Sequence, residues 1–203
     1  AIFILISVLI SDSISSEIES SQIRIHHLLG GRKFKHLLIK LCIPILVTFV
    51  VTTLTFSIIY LVKGLIDSFG TWSYPYLVED GSIQPIWQVA LASLALYLFA
   101  LIFIGSLGQL LSLIFKKSLV VIGLIAVFLT GFMTFAQEEW FQAYKIFFPF
   151  EYMGYGQLLN DVLLLPKNTF VIGISYLFSL ILVFIIISGY LYRNYHYRKV
   201  GRL

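Results

Sequence analysis

The sequence predicts an all-α fold, a polytopic helical bundle in a membrane, and three observations predict it. Apolar residues make up 59% of the 203-residue chain and charged residues only 12%, with a mean hydropathy of +0.95. A soluble core of this size could not enclose so much apolar side chain. Four stretches, 37–62, 86–115, 119–136 and 168–192, are long enough to cross a bilayer and carry no formal charge at their middles. Finally, Lys and Arg gather in alternate connections, as the positive-inside rule requires of a multi-pass protein.

Residues 1–11 are apolar apart from two serines and reach roughly 16 Å as a helix, about half of a hydrocarbon core. No basic stretch precedes them and no clear cleavage site follows, so they read as the end of a spanning helix rather than a signal peptide. On this reading the chain starts inside a spanning helix, with an N-terminal portion outside the sequence.

Residues 12–36 are the one long polar segment that also carries a helical apolar stripe: Ile14, Ile18, Ile25, Leu28 and Leu29 fall near one side of a 3.6-residue helix. Asp12, Glu17 and Glu19 lie toward its start and Arg24, Arg32, Lys33 and Lys35 toward its end, an order that suits a helix dipole, and Gly30-Gly31 supplies a stop. Two uses fit such a segment. It lies in the headgroups with its basic side on anionic lipid, or it is held at the surface to be gripped by a soluble partner.

The first complete span, 37–62, has Lys40 close enough to its start to snorkel and Pro44 near the same end, where neighbouring helices can compensate the lost backbone bond. A polar connection over 63–85 carries Asp67, Glu79 and Asp80, glycines at 64, 70 and 81, and interfacial Trp72, Tyr74 and Tyr76. The span 86–115 is long enough to require tilt or projection. Lys116-Lys117-Ser118 links it to span 119–136. Residues 137–167 mix charge with aromatics, and Pro149 and Gly154 to Gly156 break them into pieces too short to cross, so paired re-entrant or interfacial helices are expected. Span 168–192 and a basic tail, 193–203, complete the chain.

Eleven of the fourteen Lys and Arg fall in 12–40, in the 116–117 link and in the tail, whereas seven of the ten acids fall on the other side. The opening polar segment, the two-lysine link and the C-terminus are therefore expected in the cytoplasm. Small residues form helix-packing stripes at Gly105, Gly108 and Ser112, at Gly123, Ala126 and Thr130, and at Ser175 and Ser179. Gln109, Ser112 and Thr130 are also candidate residues of a translocation path, although helix–helix contact is the commoner use of such groups.

Several classes are excluded or disfavoured. A charge-free membrane interior argues against a proton-coupled carrier or voltage sensor. There is no P-loop, so the chain itself is not expected to bind ATP. Glu138-Glu139 invites comparison with glutamate-dependent membrane proteases, but Ala143 stands where their Arg belongs and the four histidines map to the opposite surface. Adjacent His26 and His27 point in different directions on a helix, and one cysteine, Cys42, supports neither a disulfide nor a Cys-based zinc site, so no metal is expected. The scattered basic residues belong to membrane flanks, not to a nucleic-acid module.

In order and topology the chain resembles the membrane (permease) subunit of a type-2 ATP-binding-cassette exporter. Glu17-Ile18-Glu19, then Gln22 to Leu29, then Arg32-Lys33-Phe34-Lys35-His36 with Leu37 to Lys40, is similar to that family's Glu-rich stretch, coupling helix and basic turn into the next span. Leu107 to Ser118 resembles its fourth-to-fifth span junction, and Phe148-Pro149-Phe150 its paired re-entrant helices. Ser20-Ser21-Gln22 and Gly30-Gly31 depart from the family's Gly-Thr and Pro at those places. The resemblance implies a type-2 exporter transmembrane domain that carries no cofactor of its own. A separate ATPase subunit, holding ATP and Mg, would contact Glu17, Glu19, Gln22, Arg24, Ile25, Leu28, Leu29 and Arg32. It also implies a second permease, identical or related, and surrounding membrane lipid. Substrates in the family include peptides, drugs, lipids and glycans. The Ile-, Leu-, Phe- and Lys-rich composition suits a low-GC Gram-positive bacterium, where export of peptides or antimicrobial compounds is the natural expectation. A membrane-embedded enzyme or a non-transporting scaffold is the alternative.

Overall fold

The computed structural model describes residues 2–20, 33–77, 83–135, 138, 140, 141, 144, 147–153 and 169–194. Among the described residues five α-helices carry the fold: α1 (Ile2–Glu19), α2 (Lys33–Asp67), α3 (Ile86–Phe115), α4 (Ser118–Phe135) and α5 (Thr169–Arg193). Three of them, over Phe34–Asp67, Ile86–Phe115 and Val171–Arg193, are long and apolar enough to cross a membrane. At eighteen residues, α4 reaches about 27 Å, slightly short of a ~30 Å hydrocarbon core.

Helix limits agree with the apolar runs at α3, α4 and α5; α1 runs past its apolar residues to Glu19, and the first difference beyond that is at α2, which already begins at Lys33. Expected to run over 37–62, α2 extends through Asp67, so apolar length underestimates it: Gly64 and Lys63 are no obstacle when a terminal cap lies further on. That cap is Ser68, in the left-handed region at φ 73°, after which Phe69 folds its ring back over Gly64. A β-carbon at position 64 would lie 2.2 Å from Phe69 Cε1, so a larger residue there would have to push this exposed ring aside. The second difference is a small antiparallel ladder in the polar connection, β1 (Pro75–Leu77) with β2 (Ile83–Pro85), pairing Pro75 with Pro85 and Leu77 with Ile83. The Ile86 N–H donates to the Tyr74 carbonyl at 3.1 Å and fixes where α3 begins.

Residues group into two compact units. The first comprises Ala1–Thr48, Leu101–Thr134 and Ser179–Leu203. Its core is a stripe of Ile6, Ile10, Ile14 and Ile18 at four-residue spacing on α1, packed with Leu41 and Ile45 of α2 and with α3. Gly105 makes this possible: its absent β-carbon would lie 2.8 Å from Ile10 Cδ1 and 3.2 Å from the tips of Ile45 and Leu41. Among lipid tails, helix association rests on such close van der Waals approach. Gly108 likewise receives Ile125 of α4, and Gly189 of α5 receives the Phe34 ring. The stripes at Gly123 and Thr130 and at Ser175 and Ser179 face outward instead.

The second unit comprises Phe49–Ala100 and Phe135–Phe178. Tyr97 of α3 donates to Thr52 of α2 at 2.9 Å. Pro149–Met153 forms a single 3₁₀ turn whose Tyr152 is buried against Gly173 of α5, and the Tyr176 hydroxyl donates to the Phe147 carbonyl at 2.7 Å. These contacts tie the aromatic segment to the first turns of α5.

Candidate functional site: the polar end of the first unit

Where α1 ends decides the chemistry of this site. Ile14 and Ile18 continue the Ile6–Ile10 stripe, so the apolar opening and the start of the polar segment form one helix that stops at Glu19, with Ser20 closing the last turn onto the Ser16 carbonyl at 2.9 Å. Glu17 and Glu19 therefore sit at a helix C-terminus, not at the start of a helix as their order in the sequence suggested. Backbone carbonyls concentrate partial negative charge there, which disfavours a carboxylate.

Glu19 answers by being exposed. Glu17 is drawn inward, its side chain 17% exposed, and is compensated from α2. Lys40 forms an ion pair with Glu17 Oε1 and donates to the Ser13 carbonyl at 2.9 Å, with its own side chain 13% exposed. His36 Nε2 lies 4.0 Å from Oε2. One carboxylate thus faces two basic groups four residues apart, the spacing that stacks side chains on one helix face. Tyr192 of α5 is buried and lies within electrostatic reach of Glu17. Lys40, expected only to snorkel, instead joins α2 to α1.

A second tie sits one turn away. Gln109 of α3, 1% exposed, donates to the Leu37 carbonyl at 3.1 Å. Ser112, also buried, returns its hydroxyl to the Gly108 carbonyl at 2.7 Å. At the head of α4, the Ser11 and Ser118 hydroxyls lie 3.4 Å apart. Thr130 is on the exposed face of α4, bonded to the Ala126 carbonyl at 2.8 Å, so it does not share the buried position of Gln109 and Ser112.

Of the eight residues assigned to ATPase contact, Glu17 and Glu19 are described; Gln22, Arg24, Ile25, Leu28, Leu29 and Arg32 lie outside the described residues, as does the Gly30-Gly31 stop. Among the described residues no three His, Cys, Asp or Glu side chains converge as a metal site would need. Sequence reasoning missed Lys40 and His36 as partners of Glu17. The available signal was the i, i+4 pair of basic residues heading an apolar helix, which can meet a carboxylate of a neighbouring helix as well as snorkel, although it does not say which carboxylate. Comparison with family models, with curated proteins and with solved structures finds no match to this chain.

Proposed function

We propose that the chain is the permease of an ATP-driven exporter in a bacterial cell membrane, with a separate ATPase subunit gripping residues 22–29 from the cytoplasm and a second permease completing the path. The single observation that carries this reading is the double anchorage of the segment between α1 and α2. Its first end is Glu17 and its second is His36 and Lys40, and these three meet at one point. A load applied anywhere on the intervening residues is delivered to both helices together, and through Gln109 to α3. That is what a mechanical input to the membrane requires. A segment serving only as a lipid-surface anchor has no need of a buried ion pair at its base.

Basic residues support the cytoplasmic placement of this end: Lys35, Lys40, Lys116, Lys117 and Arg193 lie at the start of α2, the end of α3, the start of α4 and the end of α5. Peptides or antimicrobial compounds are the proposed cargo, on the resemblance alone. The test is affinity purification of the tagged chain from native membranes in mild detergent, beside the variant carrying Leu28→Asp and Leu29→Asp. An ATPase subunit should accompany the parent chain and be lost from the variant, while both insert equally. A parent chain that never brings down an ATPase favours the enzyme or scaffold alternative and ends the export reading.

A further inference from the structure

We propose that His36 is a proton-operated latch between α1 and α2: protonated, it adds to the hold of Lys40 on Glu17 at the second carboxylate oxygen, and deprotonated, it withdraws that contribution. The geometry that carries this is the division of labour on one side chain. Lys40 takes Oε1, and His36 Nε2 stands 4.0 Å from Oε2, close enough for an ion pair when the imidazole is charged. Histidine is the side chain whose charge changes near neutral pH, whereas lysine stays charged throughout that range.

Three titratable groups that face the latch enter the balance. Glu17 attracts the second proton, the Lys40 ammonium opposes it, and the buried hydroxyl of Tyr192 on α5 lies within reach of the same carboxylate. Glu17 is 17% exposed and Lys40 13%, so their charges are only partly screened; the His36 side chain is 35% exposed, but its Nε2, the atom turned toward Glu17, is itself buried. Glu17 also suffers the carbonyls of the α1 terminus, so a second cation adds hold where one alone is under strain. The latch should be tight below the imidazole's titration and looser above it. It concerns only α1 and α2, and holds whether or not the chain is a permease.

The test is a distance measurement. Nitroxide labels at Ser20→Cys and Lys35→Cys, both exposed positions, are placed in a Cys42→Ser background because Cys42 is exposed and would also react. Pulsed dipolar spectroscopy of the protein in liposomes is recorded between pH 5.5 and 8.5. A narrow distance distribution should broaden as pH rises, with its midpoint in the range where histidine titrates. In both His36→Gln and Glu17→Gln this pH response should be lost. A distribution that does not change with pH in the parent, or a response that survives in either variant, overturns the proposal. Circular dichroism of each variant checks that helix content is unchanged; should Glu17→Gln fail to fold, His36→Gln alone decides.

Discussion

Glu17 shows how one side chain can be misplaced by a correct rule. Acids before bases along residues 12–36 fit a single helix dipole, but the rule holds only if one helix runs the whole way, and α1 ends at Glu19. The break falls in a run of serines whose competing local hydrogen bonds carry little warning. Nor could Lys40 be matched to Glu17 from sequence, because the two are brought together by helix packing, not by spacing. Their interaction should be measurable as a double-mutant cycle. Lys40→Met leaves a largely buried carboxylate at a hostile helix end and should cost about 2–3 kcal/mol. Glu17→Gln should cost less, and the double variant should recover part of the loss, giving an interaction energy of about 1–3 kcal/mol. Unfolding in mixed micelles measures all four proteins. Strict additivity would show that the pair holds nothing. Gln109→Leu is a milder case. The Leu37 carbonyl lies inside a helix, so the variant should lose only about 1 kcal/mol in the same assay.

At the scale of elements, the apolar runs identify each described helix except the polar half of α1, because length without charge is the dominant signal in a membrane sequence. What they do not reveal is which small-residue stripe is used. Gly105 and Gly123 look alike in sequence, each beginning a run of small residues at helical spacing. Gly105 is pressed against Ile10, whereas nothing lies within 4 Å of a β-carbon at Gly123. The difference depends on neighbours that are remote in the chain. It gives a paired prediction. Gly105→Leu should separate α1 from α3 and destabilise the first unit by about 1–3 kcal/mol through overpacking. Gly105→Ala should be much milder, because the nearest atom is the mobile tip of Ile10. Gly123→Leu should be within about 0.5 kcal/mol of the parent in the monomer. Thermal unfolding in detergent ranks the three, and equal losses at 105 and 123 would mean that α1 does not pack on α3 through glycine. In the second unit, Gly173→Leu should expel Tyr152, whose ring Cδ1 lies 2.8 Å from the missing β-carbon. Loss of the near-ultraviolet dichroism of the tyrosines would report it.

Across the whole molecule, tryptophans and most basic residues keep to opposite termini of the helices that carry them. Apart from Lys63 near the end of α2, the described basic groups stand at the start of α2, the end of α3, the start of α4 and the end of α5. The three tryptophans stand at the other ends: Trp72 just past α2, Trp87 in the first turn of α3 and Trp140 just past α4. All three are exposed, at 56%, 43% and 61%. Exposed tryptophan is costly in water but favoured at a membrane surface, where the ring is shielded and the indole N–H finds a polar partner. Along their own lengths α2, α3 and α4 thus each carry tryptophan at or just past one terminus and basic groups at the other, as the aromatic belt and the charged flank of a membrane span do. This pattern was legible in the sequence once the spans were assigned; the hairpin between Trp72 and Trp87 was not, since three-residue strands leave no periodic trace. Reconstitution into vesicles of brominated phosphatidylcholine tests the belt. Bromine at acyl carbons 6 and 7 should quench the tryptophan emission more strongly than bromine at carbons 11 and 12, and iodide in the buffer should quench it only weakly. Strong iodide quenching with none from either lipid would place these rings in water, and α2, α3 and α4 could not then cross the bilayer in the directions their charges require.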